Sequence, residues 1–334
     1  MPGPGRPSRA RIHQRMEEAV HELRDQLGGL PTPREAHDIW SDIWHQEAHH
    51  STAIEGNTLV LHEVEKLLDE GRAVGAKPLR DYMEVQGYAE AARWVYGQAL
   101  EPGDWHDGSL VSLQEVRHIH HLAMTPVWTV APHPNAIGAE APGNFRRHEI
   151  ARFPGGMKPP PWTEVDSLMR SWVETADELR RTSDEPLAER VAVVHHRFEV
   201  IHPFLDGNGR AGRLVLSLLL GRLGYPPAII YKRDRAAYLR ALQKADSGDP
   251  GPLGELLARS VTTNIYRFVM PAVAESTQLV PLPALATPDL SEAALRVAAN
   301  RGRLRAVKGD DGVWRSSRSW VEDYERTRWR RDRA

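Results

Sequence analysis

Apolar residues recur three and four positions apart along most of the first 270 residues, as they do on one face of a helix. The pattern runs over 11–27 and 32–54, where Gly28 and Gly56 end it, and Pro33 suits a first helical turn behind a Thr32 cap. Eight further helices are predicted by the same spacing: 61–71, 77–100, 112–123, 163–181, 187–201, 208–223, 235–245 and 253–269. The pattern therefore predicts a mainly α fold.

One segment, 126–161, lacks this periodicity and is rich in Pro and Gly. It predicts a long loop with a short hairpin over 145–153. Irregular segments of this length inside a compact domain are more often functional than idle.

The last part of the chain follows a different pattern. A Pro-rich stretch, 271–288, predicts a linker. Beyond it we predict a helix over 290–300, a hairpin with strands at 303–307 and 313–315, and a last helix from 317 to about 329. This order is similar to an excisionase-type or MerR-like winged helix-turn-helix, although Pro281 and Pro283 shorten its first helix.

The charge of this C-terminal module leaves two functions open. Residues 301–334 carry 11 Lys and Arg against 6 Asp and Glu, a net +5, which leaves −7 for residues 1–300. On the predicted helix Ala294, Leu295 and Ala298 would face inward, and Glu292, Arg296 and Asn300 outward. Cations that could contact phosphates are Arg303, Arg305, Lys308 and Arg315. DNA binding and docking or dimerisation of proteins both fit this pattern.

Composition excludes several classes of protein. The 334 residues are 41% apolar and 26% charged, which is typical of a globular protein of about two domains. Since there is no cysteine, disulfides, thiolate metal sites and a cysteine nucleophile are excluded. No apolar run approaches the ~18 residues that span a bilayer, and the N-terminus lacks the apolar core of a secretory signal. We therefore expect a cytoplasmic protein.

Residues 202–213, called the signature loop below, have the composition of a phosphate-binding turn. Gly207 and Gly209 permit positive φ and close approach, so that backbone N–H groups can converge on an anion. The helix that starts near Asn208 adds its positive end. Arg210 and Arg213 oppose that dipole, which is expected where an anionic ligand compensates.

The same loop contains two groups with catalytic chemistry. Asp206 beside the phosphate-binding turn is favourable if Mg²⁺ bridges it to phosphate oxygens. His202 is the side chain there that can take a proton at neutral pH, and Phe204 would anchor the loop in the core.

Three other interpretations of the loop compete with phosphate binding. It could be a plain connection between helices, but so many Gly, Arg, Asn, Asp and His residues are hard to explain by packing. Its Gly207, Gly209 and Gly212 match a dinucleotide fingerprint, yet the preceding residues have helical spacing where that fold needs a strand. A metal site of His195, His196 and His202 is disfavoured, because adjacent histidines on a helix point about 100° apart. Solvated or core roles are expected for these and for the pairs at 49–50 and 120–121.

The loop resembles the signature H-P-F-x-[DE]-G-N-G-R-x-x-R of the Fic (Fido) family at every fixed position. Residues 142–146 followed by 150–152 resemble the flap of that family, and the resemblance covers roughly residues 30–262. It implies a Fic-type helical bundle with a β-hairpin flap, and transfer of AMP from ATP to a Ser, Thr or Tyr hydroxyl of a target protein or of the chain itself. The intact Gly207 and Arg210 favour nucleotidyl transfer over the phosphorylating branch.

The resemblance also implies a role for each site residue. His202 would be the catalytic base, Asp206 would hold Mg²⁺, and Ile150 of the flap would align the target segment. The ATP phosphates would be bound by Gly207, Asn208, Gly209, Arg210 and Arg213.

Residues 51–56 resemble the inhibitory motif [ST]-x-x-x-E-[GN] of the same family. Ser51 and Glu55 lie one helical turn apart, and a carboxylate near a helix C-terminus calls for a cation partner. The resemblance makes Arg213 that partner, so that Glu55 would block the γ-phosphate site.

These observations divide the chain into an N-terminal extension (1–29), a helical region with the inhibitory helix (30–111), a catalytic core (112–270), a linker (271–288) and the basic module (289–334). We predict an autoinhibited protein adenylyltransferase that uses ATP and Mg²⁺. Its main partner would be a target protein. A second copy of the chain, in a homodimer, and DNA bound through residues 289–334 are further candidates. The alternative is a DNA-binding regulator whose Fic body senses a nucleotide.

Overall fold

The computed structural model describes residues 7–102, 108–153, 157–309 and 311–328. Its helices are α1 Arg9–Leu27, α2 His37–Ile54, α3 Leu61–Glu70, α4 Leu79–Leu100, α5 Leu113–Val130, α6 Val165–Asp177, α7 Leu187–Ile201, α8 Asn208–Arg222, α9 Arg235–Asp246, α10 Gly251–Asn264, α11 Met270–Val273, α12 Glu292–Asn300 and α13 Arg318–Thr327. Its strands are β1 Val280–Pro281, β2 Val307–Lys308 and β3 Trp314–Ser316. The predicted mainly α fold is confirmed.

Helix α8 lies at the centre of the bundle, against α4, α5 and α7. It is buried on all sides from Ala211 to Gly221, which explains its nearly continuous apolar sequence. Helices α4 and α5 approach each other closely at Gly87, where a Cβ atom would meet the Ala123 carbonyl and the ring of Pro126. The core thus fixes the start of α8, where the signature loop ends.

Two helices depart from their predicted bounds near these contacts. Helix α5 continues through Pro126 to Val130, past the predicted end at 123, because packing against α4 outweighs the hydrogen bond that proline removes. Helix α2 begins at His37 and not near Thr32, because Thr32 caps a separate turn that closes on Glu35.

Two other predicted helices are broken into shorter pieces. The helix over 163–181 is α6 with a 3₁₀ turn at each end. The helix over 253–269 is α10 followed by a π-helical turn, Ile265–Val269. The remaining six helices of the first 270 residues lie within two residues of their predicted bounds.

The Pro- and Gly-rich loop crosses the mouth of the bundle. The hairpin expected over 145–153 is absent from its described residues, which contain no strand. A single backbone hydrogen bond, from Phe153 N to Met157 O, joins the two sides at 2.9 Å, and residues 154–156 lie outside the described ones. Hydrogen bonds from the Arg146 side chain to backbone carbonyls hold this part of the loop instead of strand pairing.

The C-terminal module contains a small antiparallel sheet in the order β1-β3-β2, with Val280 opposite Ser316 and Val307 opposite Arg315. Its first strand comes from the Pro-rich stretch, where Val280 and Leu282 are buried. The winged-helix assignment and the linker stay predictions.

The faces of α12 differ in part from the prediction. Leu295 and Ala298 are buried as expected, but Ala294 is exposed and Ala299 takes the inward position instead. The expected end of the last helix, at 329, lies outside the described residues. None of the described helices is long and apolar enough to cross a membrane.

Candidate active site

The signature loop connects the C-terminus of α7 to the N-terminus of α8. His202 follows α7 directly and has φ 51° and ψ 60°, the one left-handed conformation of a non-glycine residue in the described chain. That backbone costs about 1 kcal/mol or more and must be held by its surroundings. Phe204 is fully buried as predicted, and the Asn208 amide bonds both its N–H and its C=O at 2.8 Å. The loop is therefore rigidly shaped.

A cavity of about 520 Å³ opens over this loop. Its floor is formed by His202, Leu205, Asp206, Gly207, Asn208, Gly209 and Arg210. Its walls are formed by Glu55, Arg80, Glu84, His133, Asn135, His148, Glu149, Ile150, Ala151 and Phe153. The structure thus brings Ile150, Glu55 and the signature loop to the walls and floor of one cavity.

His202 has the electronic state of a base. Burial lowers its pKa to about 4, so the ring is neutral at pH 7. Its Nδ1 lies 3.3 Å from the Glu199 carbonyl oxygen, which can only accept, so the proton belongs on Nδ1. Nε2 then keeps its lone pair for a substrate.

Asp206 is ionised beside His202. Burial would raise the pKa of its carboxyl, but the Arg210 guanidinium and the Gly207 N–H hold it below its ordinary value. Both groups contact Oδ1, the N–H at 2.6 Å and the guanidinium at 3.4 Å. No hydrogen bond of the described residues reaches Oδ2.

The two loop glycines serve different purposes. Gly207 has φ 77° and starts the turn, as predicted. Gly209 does not adopt positive φ; it is needed because a Cβ there would collide with the Glu55 carboxylate. The Asn208 side chain bonds the Phe204 backbone. Because Asn208 begins α8, its backbone N–H has no partner within the helix and can donate to a ligand.

Arg210 is almost fully buried between two carboxylates, 3.4 Å from Glu84 and 3.4 Å from Asp206. Its Nε and NH1 have no hydrogen-bond partner among the described residues. Glu84 is itself bonded by Asn57 and Arg80. The sequence did not predict these contacts of Arg210, because Glu84 and Arg80 lie on α4, which carries no recognisable motif.

Arg213 joins the loop to α2. Its Nε donates to Ser51 Oγ at 2.7 Å, and its NH2 donates to the Ser51 carbonyl at 2.9 Å and to Glu55 Oε1 at 2.8 Å. Burial would raise the pKa of Glu55, but Arg213 holds it below the ordinary value. The two residues that the inhibitory motif singles out therefore both contact Arg213.

A stripe of polar residues spaced four apart sets the register of α2 on α8. Glu47 accepts a hydrogen bond from Ser217 at 2.9 Å, Ser51 contacts Arg213, and Glu55 reaches the Gly209 level. Glu47 is buried and also accepts from the Tyr96 hydroxyl. Because the helices run antiparallel, each turn of α2 meets one turn of α8.

Two buried residues outside the signature also contact the loop. His120 of α5 stacks on Phe204 with ring centroids 3.7 Å apart. Arg146 of the flap donates to the His202 carbonyl at 2.8 Å. In the sequence His120 was only a polar residue at a core position of a helix, and Arg146 was the last residue of the stretch 142–146 that resembles the flap. Neither signal reveals a partner.

The other histidines have structural surroundings. His195 contacts the Tyr238 hydroxyl and His196 contacts Asp246, at 2.8 and 2.7 Å. Burial lowers the pKa of His195 to about 3. Within the described residues there is no group of three or more His, Asp or Glu side chains that could hold a metal. Solvated or core roles for these histidines stay a prediction.

The cations of the C-terminal module are partly engaged. Arg315 forms ion pairs with Glu22 at 3.1 Å and Asp311 at 2.8 Å, and Arg305 lies over the Trp320 ring. These contacts are internal and offer no support for DNA binding.

Comparisons with known proteins point to one family. Residues 110–220 match the model of the Fic/DOC family. Protein adenylyltransferase fic-1 of Caenorhabditis elegans is 29% identical over 258 residues, which is 77% of this chain and 47% of that protein. Protein adenylyltransferase Fic of Nematostella vectensis is 29% identical over 294 residues, 86% of this chain and 62% of that protein. The chain spans about half the length of the curated relatives it matches.

Solved structures show the same fold. A fragment of Fic-1 from C. elegans superimposes with a TM-score of 0.62 at 27% identity, covering 78% of this chain and 72% of that one. A Fic family protein from Desulfovibrio desulfuricans covers 95% of this chain and 97% of its own with a TM-score of 0.56, and at 22% identity it shows the fold alone. Signature, fold and family model agree: residues 110–220 match the Fic/DOC family model, and the chain is similar in sequence and fold to Fic proteins.

Proposed function

We propose that this protein transfers AMP from ATP to a hydroxyl side chain of a protein and releases pyrophosphate. The observation that carries the proposal is a neutral, buried His202 at the floor of a cavity that also contains an ionised carboxylate, a glycine turn and the N-terminus of α8. These groups match the needs of phosphoryl chemistry, which are positioning, charge neutralisation and a base. The adenylyltransferases among the relatives support it.

In this mechanism the target hydroxyl oxygen attacks the α-phosphorus of ATP. The new P–O bond forms as the bond to the bridging oxygen of pyrophosphate breaks, and Nε2 of His202 takes the hydroxyl proton. The turn at Gly207 would place the backbone N–H groups of Asn208 and Gly209, together with Arg210, against the phosphates, while the Gly207 N–H itself bonds Asp206. Arg213 would join them after it is released from Glu55.

Mg²⁺ fits this site with Asp206 as its one protein ligand. The carboxylate is ionised and lines the cavity, and its Oδ2 accepts no hydrogen bond from the described residues. One carboxylate plus phosphate oxygens is a common set of ligands for this ion. Bound Mg²⁺ would neutralise charge on the triphosphate.

Glu55 acts in this proposal as a brake. Its carboxylate lies against Gly209 and holds Arg213, so it occupies the place of the distal phosphate. Ile150 at the cavity wall would guide the target segment by backbone pairing. The alternative, a DNA-binding regulator, receives no support from the comparisons.

The test uses ATP labelled either at the α- or at the γ-phosphate, with the Glu55→Gly protein as enzyme and acceptor. We expect α-label on the protein and a mass increase of one AMP. His202→Ala in the same background should lose at least about 10²–10⁴-fold in rate while ATP still binds. Asp206→Asn should weaken ATP binding when Mg²⁺ is present and leave it unchanged when Mg²⁺ is absent. Transfer of γ-label instead would mean that the protein is a kinase.

A further inference from the structure

Among the described residues, two side chains outside the signature hydrogen-bond the signature loop to α5 and to the flap. His120 bonds the Asp206 end, and Arg146 bonds the His202 end. Both side chains are buried, with 3% and 1% of their surface exposed. What each of them contacts indicates a task beyond packing.

His120 bridges two backbones through opposite nitrogens of one ring. Its Nδ1 accepts from the Gly143 N–H at 2.8 Å, and its Nε2 lies 2.9 Å from the Asp206 carbonyl. An N–H can only donate and a carbonyl can only accept, so the ring is neutral with its proton on Nε2. Its stacking on Phe204 fixes the plane of the ring. The Asp206 backbone is therefore held in one orientation relative to the flap.

Arg146 is a buried cation whose hydrogen bonds all go to carbonyls. Nε donates to His202 at 2.8 Å, NH1 to His148 at 2.9 Å, and NH2 to Pro160 at 2.7 Å and Ile201 at 3.3 Å. Its own N–H donates to the Pro203 carbonyl at 2.9 Å. The guanidinium thus covers the negative end of α7 and holds His202 in its left-handed conformation.

We propose that His120 and Arg146 are positioning residues with separate tasks, the first for the phosphate-binding end of the loop and the second for the base. The contact with His120 sets the position of Asp206 and Gly207. The contact with Arg146 sets the backbone that carries the His202 ring. Because substrate binding and proton transfer are separate steps, loss of each contact should affect a different kinetic constant. The inference rests on the proposed AMP transfer.

The experiment uses the full chain with Glu55→Gly, into which His120→Phe or Arg146→Lys is introduced. Phe keeps the ring that stacks on Phe204 but removes both hydrogen bonds. Lys keeps the charge of Arg146 but cannot reach four carbonyls. The control is His13→Phe, because His13 is equally buried and lies on α1, outside the cavity lining.

We expect His120→Phe to weaken ATP binding, measured by calorimetry with Mg²⁺, by about tenfold or more, while kcat at saturating ATP changes little. Arg146→Lys should instead lower kcat by about tenfold or more with an unchanged Kd for ATP. Hydrogen exchange should speed up at 203–208 in the first variant and at 200–204 in the second. The His13→Phe control should leave the Kd for ATP, kcat and hydrogen exchange of both loop segments unchanged.

Equal losses of affinity and rate in both variants, accompanied by a rise in hydrogen exchange over the whole chain, would overturn the proposal and leave a structural role. If the Glu55→Gly parent transfers no AMP, the proposed function fails. The inference is then judged by the Kd for ATP of His120→Phe and by the local exchange in Arg146→Lys, and an unchanged value in either one overturns it.

Discussion

The Glu55 carboxylate lies 2.8 Å from the Arg213 guanidinium, and the two residues differ in exposure. The Arg213 side chain is 4% exposed, whereas that of Glu55 is 41% exposed and faces the cavity. Removal of Glu55 therefore leaves Arg213 buried with its two Ser51 contacts intact. A phosphate that enters the cavity can take the place of the carboxylate.

Glu55→Gly should raise the rate of AMP transfer. The variant removes a negative charge from the distal phosphate site, and the position follows the end of α2, where Gly is tolerated. The gain is expected at about one to three orders of magnitude, at about 1.4 kcal/mol for each. Labelling of wild type and variant at equal ATP measures it.

Glu149→Gln is the matched control, since Glu149 lines the same cavity and, within the part of the chain that the structure describes, forms no ion pair with Arg210 or Arg213. It should change the rate little. A wild type as active as Glu55→Gly would mean that α2 does not act as a brake.

Arg213→Ala should lower catalysis and also make the identity of residue 55 unimportant. Glu55 and Arg213 share one ion pair, so the effects of the two substitutions on ATP affinity should not add. A double-mutant cycle on the Kd for ATP measures the coupling. Additive effects would show that the pair does not control access of ATP.

The pH profile of AMP transfer should reflect the low pKa of His202. Burial lowers that pKa to about 4, so the ring stays an unprotonated base well below pH 6.5. For Glu55→Gly, kcat/KM should therefore stay nearly constant from about pH 7.5 to 5.5 and fall toward pH 4. Half-loss of kcat/KM near pH 6.5 would contradict a buried, neutral base.

Stability should fall with acid because several histidines are buried as neutral rings. Burial lowers the pKa to about 3 for His120 and His195, and partial burial lowers that of His50 to about 4. In the unfolded chain these rings bind protons below about pH 6.5, whereas the folded chain does not, so acid favours unfolding. Each ring contributes up to about 1.4 kcal/mol of lost stability per pH unit below 6.5.

Urea unfolding at pH 7.5 and 5.5 measures this loss. The variant His195→Phe, compared with wild type at both pH values, should lose less stability on acidification by up to about 1.4 kcal/mol. An identical loss in both proteins would show that the pKa of His195 in the folded chain is not lower than in the unfolded chain.

Local pattern predicted most of the helices and the loop that connects two of them. Capping residues and glycines such as Ser112, Gly28 and Gly71 act within one turn, so their effect on the chain can be deduced from neighbours alone. The phosphate-binding character of residues 202–213 is local for the same reason. Where packing competes with a local signal, as at Pro126, the expected boundary was wrong.

Tertiary structure decided which distant groups meet. The sequence by itself determined a mainly helical chain, a loop that resembles the Fic signature and can bind phosphate, and a carboxylate one turn from Ser51. Only the antiparallel packing of α2 on α8 brings Glu55 to Arg213, 158 residues apart. Only the crossing of the flap over α5 brings His120 and Arg146 to the loop, because their contacts run to backbone atoms. Every residue carries the same backbone groups, so no side-chain pattern in the sequence could reveal those partners.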